Sequence, residues 1–237
     1  NIVWRSAAGL LGFLAILGMF YSGTRASMLG FAAGILVALF VGGLIATDKR
    51  LRIATWVGVA VFCLGVFWLY QNRDKEFVQR IPAVGRVVST SLEDVKQSPR
   101  WIAWTIAWQS FKERPMFGWG PNNFFYAFNQ HYNPRSLEFG YGETWFDNAH
   151  NIIMNTFAVQ GIFGIVSYLA VTLVAVITLL VAYRKKSISA PLAVLGLAFL
   201  VAHLVENVTV FEDPTSYLYF MFWLARVNQN ASLGIRN

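Results

Sequence analysis

The 237 residues would suit one or two soluble domains, but 56% hydrophobic residues, 13% charged residues and a mean hydropathy of +0.49 exclude an ordinary soluble chain. The formal charge of +7 does not point to nucleic acid, because the basic residues collect at the ends of apolar runs and form no single basic, aromatic-interleaved face. The single cysteine, Cys63, lies inside an apolar run, which leaves neither a disulfide framework nor a cysteine metal site open to the chain.

Crossing about 30 Å of hydrocarbon takes about 20 apolar residues in a helix. Six runs approach that length: 6–21, 28–47, 52–70, 152–183, 190–207 and 214–227. They predict an all-α polytopic membrane protein of about six transmembrane helices, with three in residues 1–70 and three in 150–237. Between them residues 71–149 form a long polar loop with an amphipathic helix lying at the interface. Asn1 is not a start methionine, and no charged segment with a small-residue cleavage site precedes the first run. That run therefore reads as an internal span, with an N-terminal part of the protein lying before it.

Short loops carrying Lys49, Arg50 and Arg52, and Arg184, Lys185 and Lys186, fall on the cytoplasmic side by the positive-inside rule. Residues 22–27, 71–149 and 208–213 then face outward. Arg25 is a cation in the first of these connections, where an unpaired arginine at membrane depth costs about 2.5 kcal/mol or more. Thr24 is an N-cap for the second span, so Arg25 enters its first turn, where free N–H groups already favour an anion. The alternative is an arginine that snorkels to lipid phosphates.

The pattern recurs at residues 97–101. Ser98 is an N-cap, Pro99 suits the first helical position, and Arg100 follows. Trp101, Trp104, Trp108 and Phe111 recur at helical spacing, as an interfacial anchor or packing stripe would. The helix should stop at Pro115. The turn-rich residues 117–124 have glycines but no lysine or preceding strand, so they predict close backbone packing beneath that helix and not a phosphate loop.

At 145–151, before the fourth span, Asp147 or Asn148 is the expected N-cap, which places His150 in a first helical turn. The positive dipole end there favours the neutral ring that a general base needs. Asp147 is the alternative base, or the group that orients His150. The adjacent acids Glu93–Asp94 and Glu212–Asp213 read as solvated loop charges. His203 and Glu206, at helical spacing, read as a structural polar pair or a proton relay, and His131 with Tyr132 as surface. Cations and a base at helix starts on one membrane surface suit a polyanionic lipid-linked substrate.

Taken in order, SGTRASMLG at 22–30, RWIAWTIAWQSFKERPMFGWGPNNF at 100–124 and NAHNIIMNTFAVQGIFG at 148–164 resemble the O-antigen ligase family, which includes Wzy-type polymerases and protein O-oligosaccharyltransferases. The resemblance implies a GT-C-like, metal-independent glycosyltransferase of the bacterial inner membrane, without cofactor, of which this chain would be the C-terminal half. Its donor would be a glycan on undecaprenyl pyrophosphate at the periplasmic face, and its acceptor a sugar or protein hydroxyl. Its other partners would be membrane lipids, with no nucleic acid. The resemblance implies that Arg25 and Arg100 hold the pyrophosphate and that His150 activates the acceptor, with Asn151, Trp101 and Trp104 as supporting candidates. A base on the attacking side implies inversion at the anomeric carbon. The first expectation is ligation to lipid A core, with polymerisation of repeat units or transfer to protein as alternatives and a transporter of the same glycans as the rival class. The family's frequent glutamate before Gly161 is Gln160 here, at a position that reads as packing.

Overall fold

A computed structural model describes residues 2–82 and 84–233, and among these there are helices and turns but no strand. Long helices come first: α1 (Ile2–Ser22), α2 (Arg25–Ile45) and α3 (Lys49–Gln71). Shorter ones follow as α4 (Glu76–Gln79), α5 (Val84–Ser89), α6 (Leu92–Lys96), α7 (Pro99–Glu113) and α8 (Phe124–Gln130). Two 3-10 turns, Pro134–Phe139 and Tyr141–Glu143, lead to α9 (Ile152–Arg184), α10 (Ala190–Thr209) and α11 (Pro214–Leu233). The chain is an all-α, multi-pass membrane protein: α1, α2, α3, α9 and α10 are each long and apolar enough to cross a bilayer. The sixth expected span falls in α11, a 20-residue helix outside that group, because Arg226 and Asn228 through Asn230 interrupt its apolar run.

Apolar side chains on α1 and α3 point outward, as lipid-facing helices require, since hydrocarbon is as good a solvent for Leu and Phe as a protein core. Helix α2 is held differently. Ala26, Gly30 and Gly34 repeat every fourth residue on one buried face, which lies against Ala198 and Ala202 of α10. A Cβ on Gly30 would sit 2.7 Å from the Ala202 carbonyl oxygen. The small residues let the backbones approach, and packing rather than hydrophobicity holds the pair in lipid. Glu206 of α10 accepts from Ser27 Oγ across this contact at 2.7 Å. The expected His203–Glu206 pair is therefore not formed: a partner on the neighbouring helix takes Glu206.

The expected fourth span is two helices joined at a break. Gly161 has φ 65° and ψ −157°, a region open only to glycine, and there the α9 hydrogen-bond ladder parts. Residues 115–120 fill the gap. Ile162 N donates to Pro115 O at 2.8 Å, while Trp119 N and Gly120 N donate to Ala158 O at 2.9 Å and Val159 O at 2.8 Å. With Phe163 N donating to Met116 O, four backbone groups freed at the break find partners in this one segment, which is how irregular backbone is tolerated at membrane depth. The glycines of residues 117–124 thus pack on broken α9, where sequence spacing had placed them beneath α7. Gln160 at the break is exposed and is not a packing residue.

Gly161→Ala should destabilise the protein by about 3 kcal/mol, from backbone strain plus a Cβ that would meet the Met116 carbonyl at 2.5 Å. Gly65→Ala, with open space at its Cβ, is the control and should leave stability unchanged or raised. Thermal unfolding in detergent reads both, and equal melting temperatures would contradict the role given to the break.

Helix α7 lies along α9 on an aliphatic face and not on its aromatic stripe. Ile102, Ala103, Ile106, Ala107 and Ser110 are buried with Phe124, Phe128, Phe146, Ala149, Ala158 and Val159. The stripe is a flank: Trp101 and Trp108 stay 42% and 46% exposed, and Trp108 and Phe111 meet Phe157 of α9 at 6.1 and 4.8 Å between ring centroids. His131, expected on the surface, is half-buried, with Nε2 3.2 Å from Glu113 Oε1.

Candidate active site

Helix α2 begins at Arg25, as Thr24 suggests, although the Thr24 side chain makes no capping bond. The guanidinium is exposed, and its Nη1 donates to Thr90 Oγ1 at 3.3 Å. That contact brings the segment after α5 over the start of α2, and Arg86 secures it by donating to the Gly23 carbonyl. Next in the chain, Ser91 and Asp94 close a capping box on α6, Ser91 Oγ accepting from Asp94 N at 3.1 Å and Asp94 Oδ2 from Ser91 N at 2.7 Å, and the Ser91 hydroxyl also donates to Asp94 Oδ2 at 2.6 Å. Hydrogen bonds from the Ser91 side chain and backbone hold the Asp94 carboxyl below its usual range.

Ser98 and Pro99 start α7 where expected, but the Ser98 hydroxyl donates back to Val95 O at 2.6 Å instead of capping. Arg100 in the first turn is half-buried and donates from Nη1 to Thr209 O at the end of α10, 3.0 Å away. Burial, then the like charge of Arg25, pulls its guanidinium below the ordinary arginine value, against the attraction of Glu143. Arginine stays charged at any physiological pH all the same. Arg25 and Arg100 line one cavity of ≈ 450 Å³ with Thr90, Asp94, Ser98 and Trp104. Two guanidinium groups facing a shared space repel each other, and an anion between them turns that cost into binding.

His150 differs from the expectation. The N-cap of α9 is Asn151, whose Oδ1 accepts from Ile153 N at 3.0 Å and Met154 N at 3.1 Å. Neither Asp147 nor Asn148 caps the helix, and His150 stands just outside it with a left-handed φ of 51°. Asn148 instead folds the chain back on itself: its Oδ1 accepts from His150 N at 2.9 Å, and its carbonyl lies 3.1 Å from His150 Nδ1. A carbonyl can only accept, so this contact selects, for the neutral ring, the tautomer with its proton on Nδ1 and its lone pair on Nε2. The helix dipole is thus not what prepares the ring; a local turn does so. Asp147 is exposed and takes no part in holding it. Phe146 and Phe211 flank the imidazole edge-on, at 5.4 and 5.2 Å between centroids.

Trp104 ties the two parts together. Its ring lines the arginine cavity and its Nε1 donates to Ala149 O, beside His150, at 2.9 Å. Trp101 is only 5.9 Å from it, ring to ring. Asn151, buried, serves as the cap that fixes the start of α9. Residues not singled out from sequence complete the walls. Thr90 and Arg86 come from the loop, Thr209 from the last position of α10 and Phe211 from the α10–α11 turn. Nothing local marks them, because each acts through a partner more than 60 residues away or, for Thr209, through its backbone. Among the described residues no group of three or more His, Cys, Asp or Glu is arranged to hold a metal ion.

No curated protein matches the chain in sequence. The sequence profile described as O-antigen ligase matches residues 10–169, which runs from within α1 into α9 just past its break and contains Arg25, Arg100 and His150. With that match over most of its length, the chain belongs to the O-antigen ligase family.

Proposed function

We propose that this chain moves a glycan from a lipid-linked pyrophosphate, undecaprenyl pyrophosphate, to an acceptor hydroxyl on the periplasmic side of the bacterial inner membrane. Membership of the O-antigen ligase family supports a glycosyltransferase of ligase or polymerase type. The observation that carries the finer reading is the single cavity shared by Arg25 and Arg100, joined through Trp104 to the segment that presents His150. The Lys and Arg clusters at 49–52 and 184–186 support a site at the outward ends of α2 and α9.

In this reading the arginines bind the pyrophosphate and stabilise the charge that grows on it as the anomeric C–O bond breaks, so no metal is called on. The acceptor hydroxyl attacks the opposite face of that carbon and gives its proton to His150 Nε2. The new C–O bond forms with inversion at the anomeric carbon, and the lipid pyrophosphate leaves. The preferred acceptor is lipid A core, with a growing glycan or a protein hydroxyl as alternatives.

The test is an in vitro reaction of the purified protein with undecaprenyl-pyrophosphate glycan, offered lipid A core, a glycan repeat or a protein acceptor in separate arms without added metal. Product with lipid A core is expected. Product only with another acceptor would move the assignment within the family, and movement of glycan across liposomes without any new bond would make the protein a transporter.

A further inference from the structure

The turn between α10 and α11 touches both halves of the site. Thr209 O accepts from Arg100 at 3.0 Å, and two residues on the Phe211 ring meets His150 at 5.2 Å between centroids. Val210, with φ −144° and ψ −144°, leaves the helix in an extended conformation, so no helical bond fixes the turn. The residue after Phe211 does. Glu212, which from sequence reads as a solvated loop charge, turns inward until its side chain is only 15% exposed. Its Oε1 approaches Nε2 of His203 in α10 to 3.1 Å, and the His203 side chain is 6% exposed.

The histidine is itself held on every side. Its ring stacks on Phe220 of α11 at 4.5 Å and on Phe199 at 5.9 Å. Its Nε2 also lies 3.1 Å from the amide of Asn207, which is 1% exposed, so this amide and Glu212 share one ring nitrogen. A carboxylate at this depth is costly unless paired, and a residue that breaks such a pair leaves an uncompensated charge. Glu212 therefore has one favourable place, and the turn before it is drawn to one place with it.

We propose that the His203–Glu212 pair is a positioning device that sets Phe211 of this turn against His150, with neither member touching substrate. This rests on the reading of Arg100 and His150 as transfer residues. A pair that acts only by holding the turn acts through Phe211, whereas a pair that merely stabilises the fold acts independently of it.

The two are separated by a double-mutant comparison of transfer rates with Glu212→Ala, Phe211→Ala and both. Each single change should slow transfer about tenfold, and the double should be no slower than the worse single, because coupled residues are non-additive. If Glu212→Ala fails to fold, Glu212→Gln keeps the shape without the charge and serves in the same comparison. A second readout does not depend on activity. Val210→Cys in a Cys63→Ser background should react about tenfold faster with a membrane-impermeant maleimide once Glu212 is replaced. Multiplicative losses, or an unchanged labelling rate, would overturn the proposal. Labelling that responds as expected, together with a wild-type protein that transfers no glycan, would instead overturn the reading of the site.

Discussion

Arg100→Ala is expected to lower glycan transfer about 10²–10³-fold, the loss that follows removal of one donor preorganised on developing charge. Arg100 is the half-buried member of the arginine pair, and a charge partly removed from water acts more strongly on a ligand than an exposed one. Its Nη1 also binds Thr209 O, so the guanidinium is held in place before any donor arrives. Arg100→Lys should recover only part of the rate, because an ammonium cannot make two parallel bonds to phosphate while keeping the carbonyl. Initial rates on purified protein, with thermal unfolding to show that the variant is folded, measure this. A lysine variant as fast as wild type would exclude a forked phosphate contact. The repulsion between the arginines adds a sign that is easily read. Without donor, Arg25→Ala should not lower the melting temperature, but it should abolish the stabilisation that donor gives the wild type.

The long helices were legible because apolar length is a direct physical requirement of the bilayer, and the starts of α2 and α7 because Thr24 and Ser98–Pro99 mark them locally. The start of α9 was not. Residues 147–151 offer Asp147, Asn148 and Asn151 as rival caps, and composition does not say which oxygen will find two free N–H groups. The break at Gly161 lies inside an unbroken apolar run, and glycine is common in membrane helices, so periodicity passes over it. Its signal was the other half of the contact, the glycines at 118 and 120, which made sense only against a backbone that had opened to receive them. The pairing of His203 with Glu206 failed for a further reason. Helical spacing proposed a neighbour within α10 for each polar residue, but α2 supplied Ser27 to Glu206, and the returning turn supplied Glu212 to His203. Where partners are long-range, local spacing offers the wrong one.

Replacement of His150 separates binding from chemistry. The backbone there is left-handed, so alanine would add strain, whereas asparagine adopts that conformation readily and cannot take a proton at neutral pH. His150→Asn should therefore fold normally and bind donor as well as wild type, while transfer falls about 10²–10⁴-fold, the usual range for a lost general base. Arg100→Ala should lose donor affinity as well as rate, so the two variants differ in what binding measurements report. The loss should also depend on the acceptor. A hydroxyl of lower pKa needs less help in giving up its proton, so an acidic acceptor analogue should suffer less from His150→Asn than a sugar hydroxyl does. An equal loss with both acceptors would mean that the imidazole orients the acceptor rather than deprotonating it, and Asn148, which fixes the ring, would then be shaping a binding surface and not a base.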